Sequence, residues 1–280
     1  TMTDADLALK DASRFYEQYR ERLAWQGKTD AEQEKIREMS KDIKMPFTYI
    51  SGYEISSFEY LTLYALLMMM AFVVIISPVF SAEYQTGADS ILRCTKFGRL
   101  NLAAAKIVTS LMVFAVTFFI GMGVFLGITD LVFGVEGLKA SIQTVWGVFE
   151  IPAFTAGQTQ AAVAAGQFLS ILAMVSFTLF VSARCKNVQD SLKIAILVGL
   201  LPIIISVMSS SNPAKLVRCI LPSGGIGFTD SFLFDLLGTQ FVHLGPAVIW
   251  TPYLVLGAAL VEIPLFLFLA VRSYCRRESV

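Results

Sequence analysis

Five stretches of this chain are almost free of charge. Residues 60–80, 107–128, 161–183, 194–210 and 246–271 are dominated by Leu, Ile, Val, Phe, Met, Ala and Gly. Each comes close to the roughly 20 apolar residues that a helix needs to cross a hydrocarbon core. Run 194–210 is short and contains Pro202, and snorkelling by Lys193 extends it. For this run a buried re-entrant hairpin is the alternative to a full span. The expected fold class is all-α: a polytopic membrane helix bundle with an outer helical hairpin.

The polar intervals also carry patterns. Between the first two runs, SAEYQTGADSILRCTKFGRLNLAAAK (81–106) holds six charges. Residues Gly87 to Cys94 can form a short amphipathic helix with Ile91 and Leu92 on one side, and Gly98 permits a turn. Residues 1–44 predict two helices. Thr3-Asp4-Ala5-Asp6 can start the first, Gly27 can end it, and Thr29-Asp30-Ala31-Glu32 reads as a capping box for the second. Ala8, Ala12, Phe15, Tyr19 and Leu23 form one apolar stripe; Ile36, Met39, Ile43 and Phe47 form another. The two stripes can bury against each other. Such a hairpin is either a substrate-receiving or gating element, or a solvated spacer. Ser56 and Glu59 read as a capping box at the start of the first run. In 210–245, Pro222, Gly224, Gly225 and Gly227 break structure, and Thr229 or Asp230 can cap a short helix. That segment is a loop dipping towards the membrane or a plain outer loop.

Composition agrees with membrane residence. Mean hydropathy is +0.65, 55% of residues are hydrophobic and 16% charged. Net charge is zero, so bulk electrostatics give no case for nucleic acid binding. Basic residues set an orientation. Arg93, Lys96, Arg99, Lys106, Arg184, Lys186, Lys193, Arg272, Arg276 and Arg277 fall on one side; Lys139, Lys215 and Arg218 fall on the other. This ten-to-three imbalance predicts that 81–106, 184–193 and the tail are cytoplasmic. Five spans then leave residues 1–57 outside with no export signal, and a further helix ahead of Thr1 is expected, six in the parent. The expected division is 1–57 as an extracytoplasmic segment and 58–280 as the transmembrane domain.

Catalytic chemistry is sparse. Cys94, Cys185, Cys219 and Cys275 form no CxxC pair, which argues against zinc, and reduced cytoplasmic thiols argue against structural disulfides. His243 is the single histidine, and a structural role is expected for it. No GxxxxGK[ST] phosphate loop occurs. Glu262 is the one clear carboxylate within a span. It makes a polar contact in a helix interface or pathway, or else it snorkels towards the inner face or is protonated. No base accompanies the hydroxyl residues of the spans, so an enzyme is not expected. Gly123 with Gly127, Ala161 with Ala165 and Ala162 with Gly166 have the spacing of close helix contacts. Energy for any uphill movement must come from another chain, docking on a cytoplasmic loop.

That loop carries a resemblance. Glu83-Tyr84-x-x-Gly87, then Ile91-Leu92, then Arg99 and Lys106, resembles the type-2 ABC transporter permease family, and so does the layout of spans and outer segments. At Arg93-Cys94-Thr95-Lys96 the sequence departs from that family, where a Pro-bearing segment is more common. The resemblance implies a membrane exporter subunit of a bacterial plasma membrane. It implies a cytoplasmic ABC ATPase subunit carrying ATP and Mg, a second permease subunit, identical or related, and surrounding membrane lipid. It implies coupling through Glu83, Gly87, Ile91, Leu92, Arg99 and Lys106. Glu83 would orient the loop, Gly87 would allow close approach, and Arg99 and Lys106 would anchor the re-entry at phosphate level. No cofactor is expected in this chain. A different class, a non-transporting membrane sensor or assembly module that binds through the outer helices, is the competing expectation.

Overall fold

In the computed structural model, residues 4–88, 98–228, 230–245 and 247–276 are described, with backbone alone for 4–13, 98 and 99. Five helical segments are long and apolar enough to cross a membrane: Ile55–Thr86, Leu100–Phe133, Ala156–Arg184, Val188–Met208 and Thr251–Arg276. In lipid a helix satisfies its own backbone, which is why apolar runs of this length become helices.

In chain order the helices are α1 (Asp4–Ala24), α2 (Asp30–Met39), α3 (Ile55–Ile76), α4 (Pro78–Thr86), α5 (Gly98–Phe133), α6 (Ile142–Val145), α7 (Ala156–Arg184), α8 (Val188–Met208), α9 (Asn212–Ile220), α10 (Phe232–Leu237) and α11 (Thr251–Arg276). Strands β1 (Phe241–Leu244) and β2 (Ala247–Trp250) pair antiparallel before α11, with Phe241 opposite Trp250. This hairpin takes residues that the hydrophobic pattern assigned to the start of the last span. The two ends of the bundle differ. One, the cap end, holds α1, α2 and the segments 134–155 and 209–250. The other, the basic end, holds α4 and the ends of α7 and α11.

Helix α7 is the centre. Its span is the most enclosed of the five, and it packs along α11 and against α3, α4 and α8. Its inward face is polar in places: Thr159, Gln160, Gln167, Ser170, Ser176, Thr178 and Ser182 are all buried. Burial of apolar surface does not drive helices together in lipid, so close contact and hydrogen bonds must. Ser176 and Thr178 return their hydroxyls to carbonyls one turn back, at Leu172 and Met174. Gly166 lets the Phe232 ring of α10 lie against α7; a Cβ there would sit 2.3 Å from the ring. Its small-residue spacing therefore serves a cap-end helix. At Gly123 and Gly127 a Cβ would meet nothing within 4 Å.

The run with Pro202 forms one continuous helix, Val188–Met208, rather than a re-entrant hairpin. Asn187 caps it by accepting from the Asp190 N–H at 2.8 Å. Proline removes one internal hydrogen bond and crowds the preceding turn. The Ser223 hydroxyl donates to the Gly199 carbonyl at 2.8 Å in that turn.

At the cap end, α1 and α2 form the expected hairpin. Tyr19, Leu23, Ile36 and Ile43 are buried. Thr29 Oγ1 accepts from the Glu32 N–H, but Glu32 Oε2 accepts from Lys28 N–H at 2.6 Å, one residue before the box partner. Its other oxygen lies 2.7 Å from His243 Nε2 on β1, which frees Glu32 from a purely local task. The Ser56–Glu59 box does not form. The helix begins a residue earlier, at Ile55, and Ser57 donates to the Glu54 carbonyl instead.

Two contacts lock the hairpin to the bundle. Tyr19 donates to the Val148 carbonyl at 2.7 Å, stacks on Phe149 and meets Phe47 edge-on. His243 holds Glu32 as described. The hairpin is therefore a packed cap. Beneath it, Arg218 and Asp235 form an ion pair, with side chains 4% and 1% exposed and N–O distances of 2.7 and 2.8 Å. Arg218 also donates to the Gly224 and Asp230 carbonyls. Burial works against its charge, and the adjacent Asp235 outweighs this and raises the guanidinium pKa. The glycine-broken segment 221–231 is thus organised around one arginine.

Removing one member of a buried pair leaves a bare charge and costs about 3–5 kcal/mol. Asp235→Ala should lower the unfolding midpoint in mild detergent sharply, and Arg218→Met with Asp235→Leu should recover much of the loss. A second outcome concerns Glu150, whose Oε2 is buried without a hydrogen bond. Burial pushes its pKa from 4.5 up to about 7. The folded chain therefore binds this proton more tightly than the unfolded chain. Its contribution is full below pH 4.5 and is lost as pH rises to about 7, at most about 3 kcal/mol. Glu150→Gln should flatten that part of the stability–pH curve, measured by thermal unfolding between pH 4.5 and 8.

Candidate functional site at the basic end

The first span is interrupted where the sequence reads Ile76-Ser77-Pro78. Helix α3 stops at Ile76 and α4 begins at Pro78. Proline has no N–H for the Val74 carbonyl, and the Ser77 hydroxyl donates to that carbonyl at 3.2 Å instead. The N–H group of Phe80 lies in the first turn of α4, where a helix has no internal partner for it, and that of Ser81 follows it. Both donate to Ser182 Oγ from α7, at 3.0 and 3.1 Å. Ser182 in turn donates to the Ser77 carbonyl at 2.7 Å. One hydroxyl thereby takes up three backbone groups at the break, and Ser77, Ser81 and Ser182 are all buried.

This joint aims α4. Along its length Tyr84 donates to the Ala183 carbonyl at 3.4 Å, and Gln85 Oε1 accepts from the Val188 N–H at 3.2 Å. Glu83 faces α5, where Lys106 Nζ lies 2.5 Å from Glu83 Oε2 and 2.9 Å from the Val79 carbonyl. The same ammonium sits 5.0 Å from the Phe80 ring centre and 5.9 Å from that of Tyr274. Both side chains are mostly enclosed, at 16% exposed for Lys106 and 20% for Glu83. A charge pair of this depth is screened less than a surface pair and holds the two helices together more firmly.

Gly87 ends α4 with φ +72°, the left-handed conformation that closes many helices. A side chain there would meet nothing within 4 Å, so backbone conformation is what glycine supplies within this chain. Arg99 lies in the first turn of α5, seven residues and about 10 Å along the axis from Lys106. Ile91 and Leu92, with the amphipathic helix expected around them, lie outside the described residues. Glu83 and Lys106 are thus brought together, and they bracket the intervening loop. Lys106 turns inwards to a carboxylate, whereas its sequence position suggested a headgroup contact.

Glu262 stands apart, 9% exposed and without a hydrogen-bond or ion-pair partner among the described residues. Because α11 starts at Thr251 and ends at Arg276, Glu262 lies near its middle and not near the inner face. The shift follows from the β-hairpin, which occupies the first residues of that apolar run.

Three polar groupings escaped the sequence reading. Ser182 is one; Pro78 signalled a break but not which hydroxyl would fill it. Arg218–Asp235 is another, since 17 residues separate its members. The third joins Tyr53, Asp130 and Gln160 at the cap end. Tyr53 and Gln160 both donate to Asp130 Oδ1, the latter at 3.0 Å. Burial, then the Asp130 carboxylate, raises the Tyr53 hydroxyl above its ordinary pKa.

Comparison with protein-family models, with curated proteins and with solved structures finds no match to this chain.

The geometry ranks the two members of the ion pair. Lys106→Met strands a mostly enclosed carboxylate and should cost about 2–3 kcal/mol, a partly screened version of a buried-pair loss. Glu83→Gln leaves Lys106 its carbonyl and ring contacts and should cost about 1 kcal/mol. Thermal unfolding of the two variants in the same detergent checks the order; a reversed order would mean that Lys106 is held by headgroups.

Proposed function

We propose that this chain is the transmembrane permease subunit of an ATP-driven exporter of the type-2 ABC kind, driven by a separate ATPase. The observation that carries the reading is the Glu83–Lys106 ion pair, which ties the two ends of the loop between the first and second spans. A partner that displaces this loop moves α4 and α5 together rather than pulling one free end. The Ser77–Pro78 break gives α4 a place to pivot, and Ser182 keeps the freed backbone groups satisfied.

In this reading the loop faces the cytoplasm, and an ATPase pair closing on ATP presses on it. The displacement passes from α4 to α3 and α7 and switches access to a pathway shared with a second permease subunit. Gly87 sets the exit angle of the loop, and Arg99 stands at its return. Glu262, midway along α11, is the polar group within the spans that a pathway or subunit interface would use. The mostly apolar spans favour an amphipathic or lipid-like cargo over a small ion. ATP and Mg belong to the partner.

The second reading, a non-transporting sensor or assembly module, has its own support. Trp25 and Tyr49 are 70% and 74% exposed on the cap, and large aromatic side chains of this exposure suit a partner.

Co-expression with a candidate ABC ATPase from the same source separates the two. Under the permease reading a cysteine placed at Ala88 cross-links to that ATPase. Glu83→Lys should reduce cargo-stimulated ATP hydrolysis at least tenfold while insertion persists. Glu83→Lys with Lys106→Glu should restore part of it. Unchanged coupled hydrolysis in the single variant, or an ATPase that never co-purifies, would sink the permease reading.

A further inference from the structure

Helix α9 is amphipathic in the reverse of the usual sense. Residues three, four and seven apart share one face of a helix. On α9 (Asn212–Ile220) the face turned into the protein is the polar one. Asn212 exchanges two hydrogen bonds with the His243 backbone, at 2.9 Å each. Lys215 donates to Gln240 Oε1, and Arg218 pairs with Asp235. The opposite stripe is apolar and turned outwards: Pro213, Val217 and Ile220 are exposed, the last two at 49% each.

Two contacts fix the depth of this helix. A short turn, in which the Ser211 N–H donates to Ser209 Oγ at 3.2 Å, joins α9 to the end of α8 at Met208. The chain then runs back beside α8. Just past α9, the Ser223 hydroxyl reaches the Gly199 carbonyl at 2.8 Å. Gly199 stands nine residues before the end of α8 (Val188–Met208), about 13 Å down its axis. Helix α9, with nine residues, is about as long. Beyond it, a Cβ on Gly225 would sit 2.3 Å from Ser170 Oγ, and Ser170 lies at the middle of α7 (Ala156–Arg184). The segment therefore re-enters the bundle by nearly half of a hydrocarbon core of about 30 Å.

We infer that the Pro213–Val217–Ile220 stripe of α9 lies against lipid acyl chains, in the leaflet at the cap end. A helix in water turns its polar face out and its apolar face in. Helix α9 does the opposite, and a hydrocarbon solvent at this depth accounts for both faces. Its polar groups find their partners within the protein, as lipid requires. The stripe continues the outer surface of α8, where Val207 and Met208 are each 80% exposed. A second protein is a poorer fit. The stripe is one helix of nine residues, whereas a stable interface uses roughly 20–30 residues a side. Asn212, Lys215 and Arg218 thus pin a lipid-facing helix to the cap from its inner side. The inference needs the long helices to span a bilayer and is independent of the transporter reading.

The full chain in vesicles of dioleoylphosphatidylcholine tests it, with a trace of phosphatidylcholine that carries a diazirine on its acyl chain. Illumination forms adducts where side chains touch lipid, and mass spectrometry maps them. Val217 and Ile220 should be labelled within about threefold of Leu197, which is 62% exposed on α8. Both should exceed Lys41, exposed on the cap, at least fivefold. A second measurement reads water instead of lipid. Val217→Cys should react with a water-soluble maleimide at least tenfold more slowly than Lys41→Cys. Fast reaction at position 217 would put the stripe in water. Slow reaction without lipid adducts would put protein over it, a second copy of this chain included. Either result would overturn the inference.

Discussion

A helix that breaks inside a bilayer must find new partners for the backbone groups it frees, and in this chain Ser182 supplies them. Ser77, Ser81 and Ser182 are buried, and an unpaired buried N–H or carbonyl costs roughly what a lost hydrogen bond costs, or more. Pro78 has no N–H for the Val74 carbonyl, and α3 ends at Ile76 just before it. The hydroxyls of Ser77 and Ser182 then settle where α4 points. The direction of α4 decides which residue of its surface faces α5, and so it decides that Glu83 meets Lys106. The later features of the basic end descend from that one joint.

The two ends of the bundle are held by different physics. At the cap end the polar contacts are buried among aromatic side chains: Tyr19 against Val148 and Phe149, Arg218 against Asp235, Glu32 against His243. Such contacts are directional and shielded, and they leave the cap a single seat. At the basic end the contacts among the described residues stand nearer solvent, with Glu83, Lys106, Tyr84 and Gln85 all partly exposed or exposed.

The spans were legible because apolar runs near 20 residues have few alternatives in lipid. The hairpin of α1 and α2 was legible too, from two stripes and a turn. What pattern reading lost was local competition for hydrogen bonds. Glu32 has the spacing of a capping box, yet one oxygen goes to Lys28 and the other to His243, 211 residues away. Glu59 has the same spacing and makes no cap, because the helix starts a residue sooner. In 247–250 the apolar side chains suit a strand as well as a helix, and pairing with 241–244 chose the strand. At the candidate site Glu83 and Lys106 were visible as a pair of unusual residues. Their direct contact was not, since it depends on the angle at Pro78, which no spacing encodes.

The same reasoning explains why the ion pair lies inside and the arginines lie outside. Lys106 has a carbonyl, two ring faces and a carboxylate within reach, so its charge can be enclosed without remaining bare. Arg184, Arg272 and Arg276, by contrast, line an open groove where α7 and α11 end. Helix α7 therefore carries, within one turn, a serine that completes the backbone of α4 and an arginine that faces outwards. A shift of α7 along its axis would disturb both at once. The joint at Ser182 and the groove beside Arg184 are therefore carried by one helix.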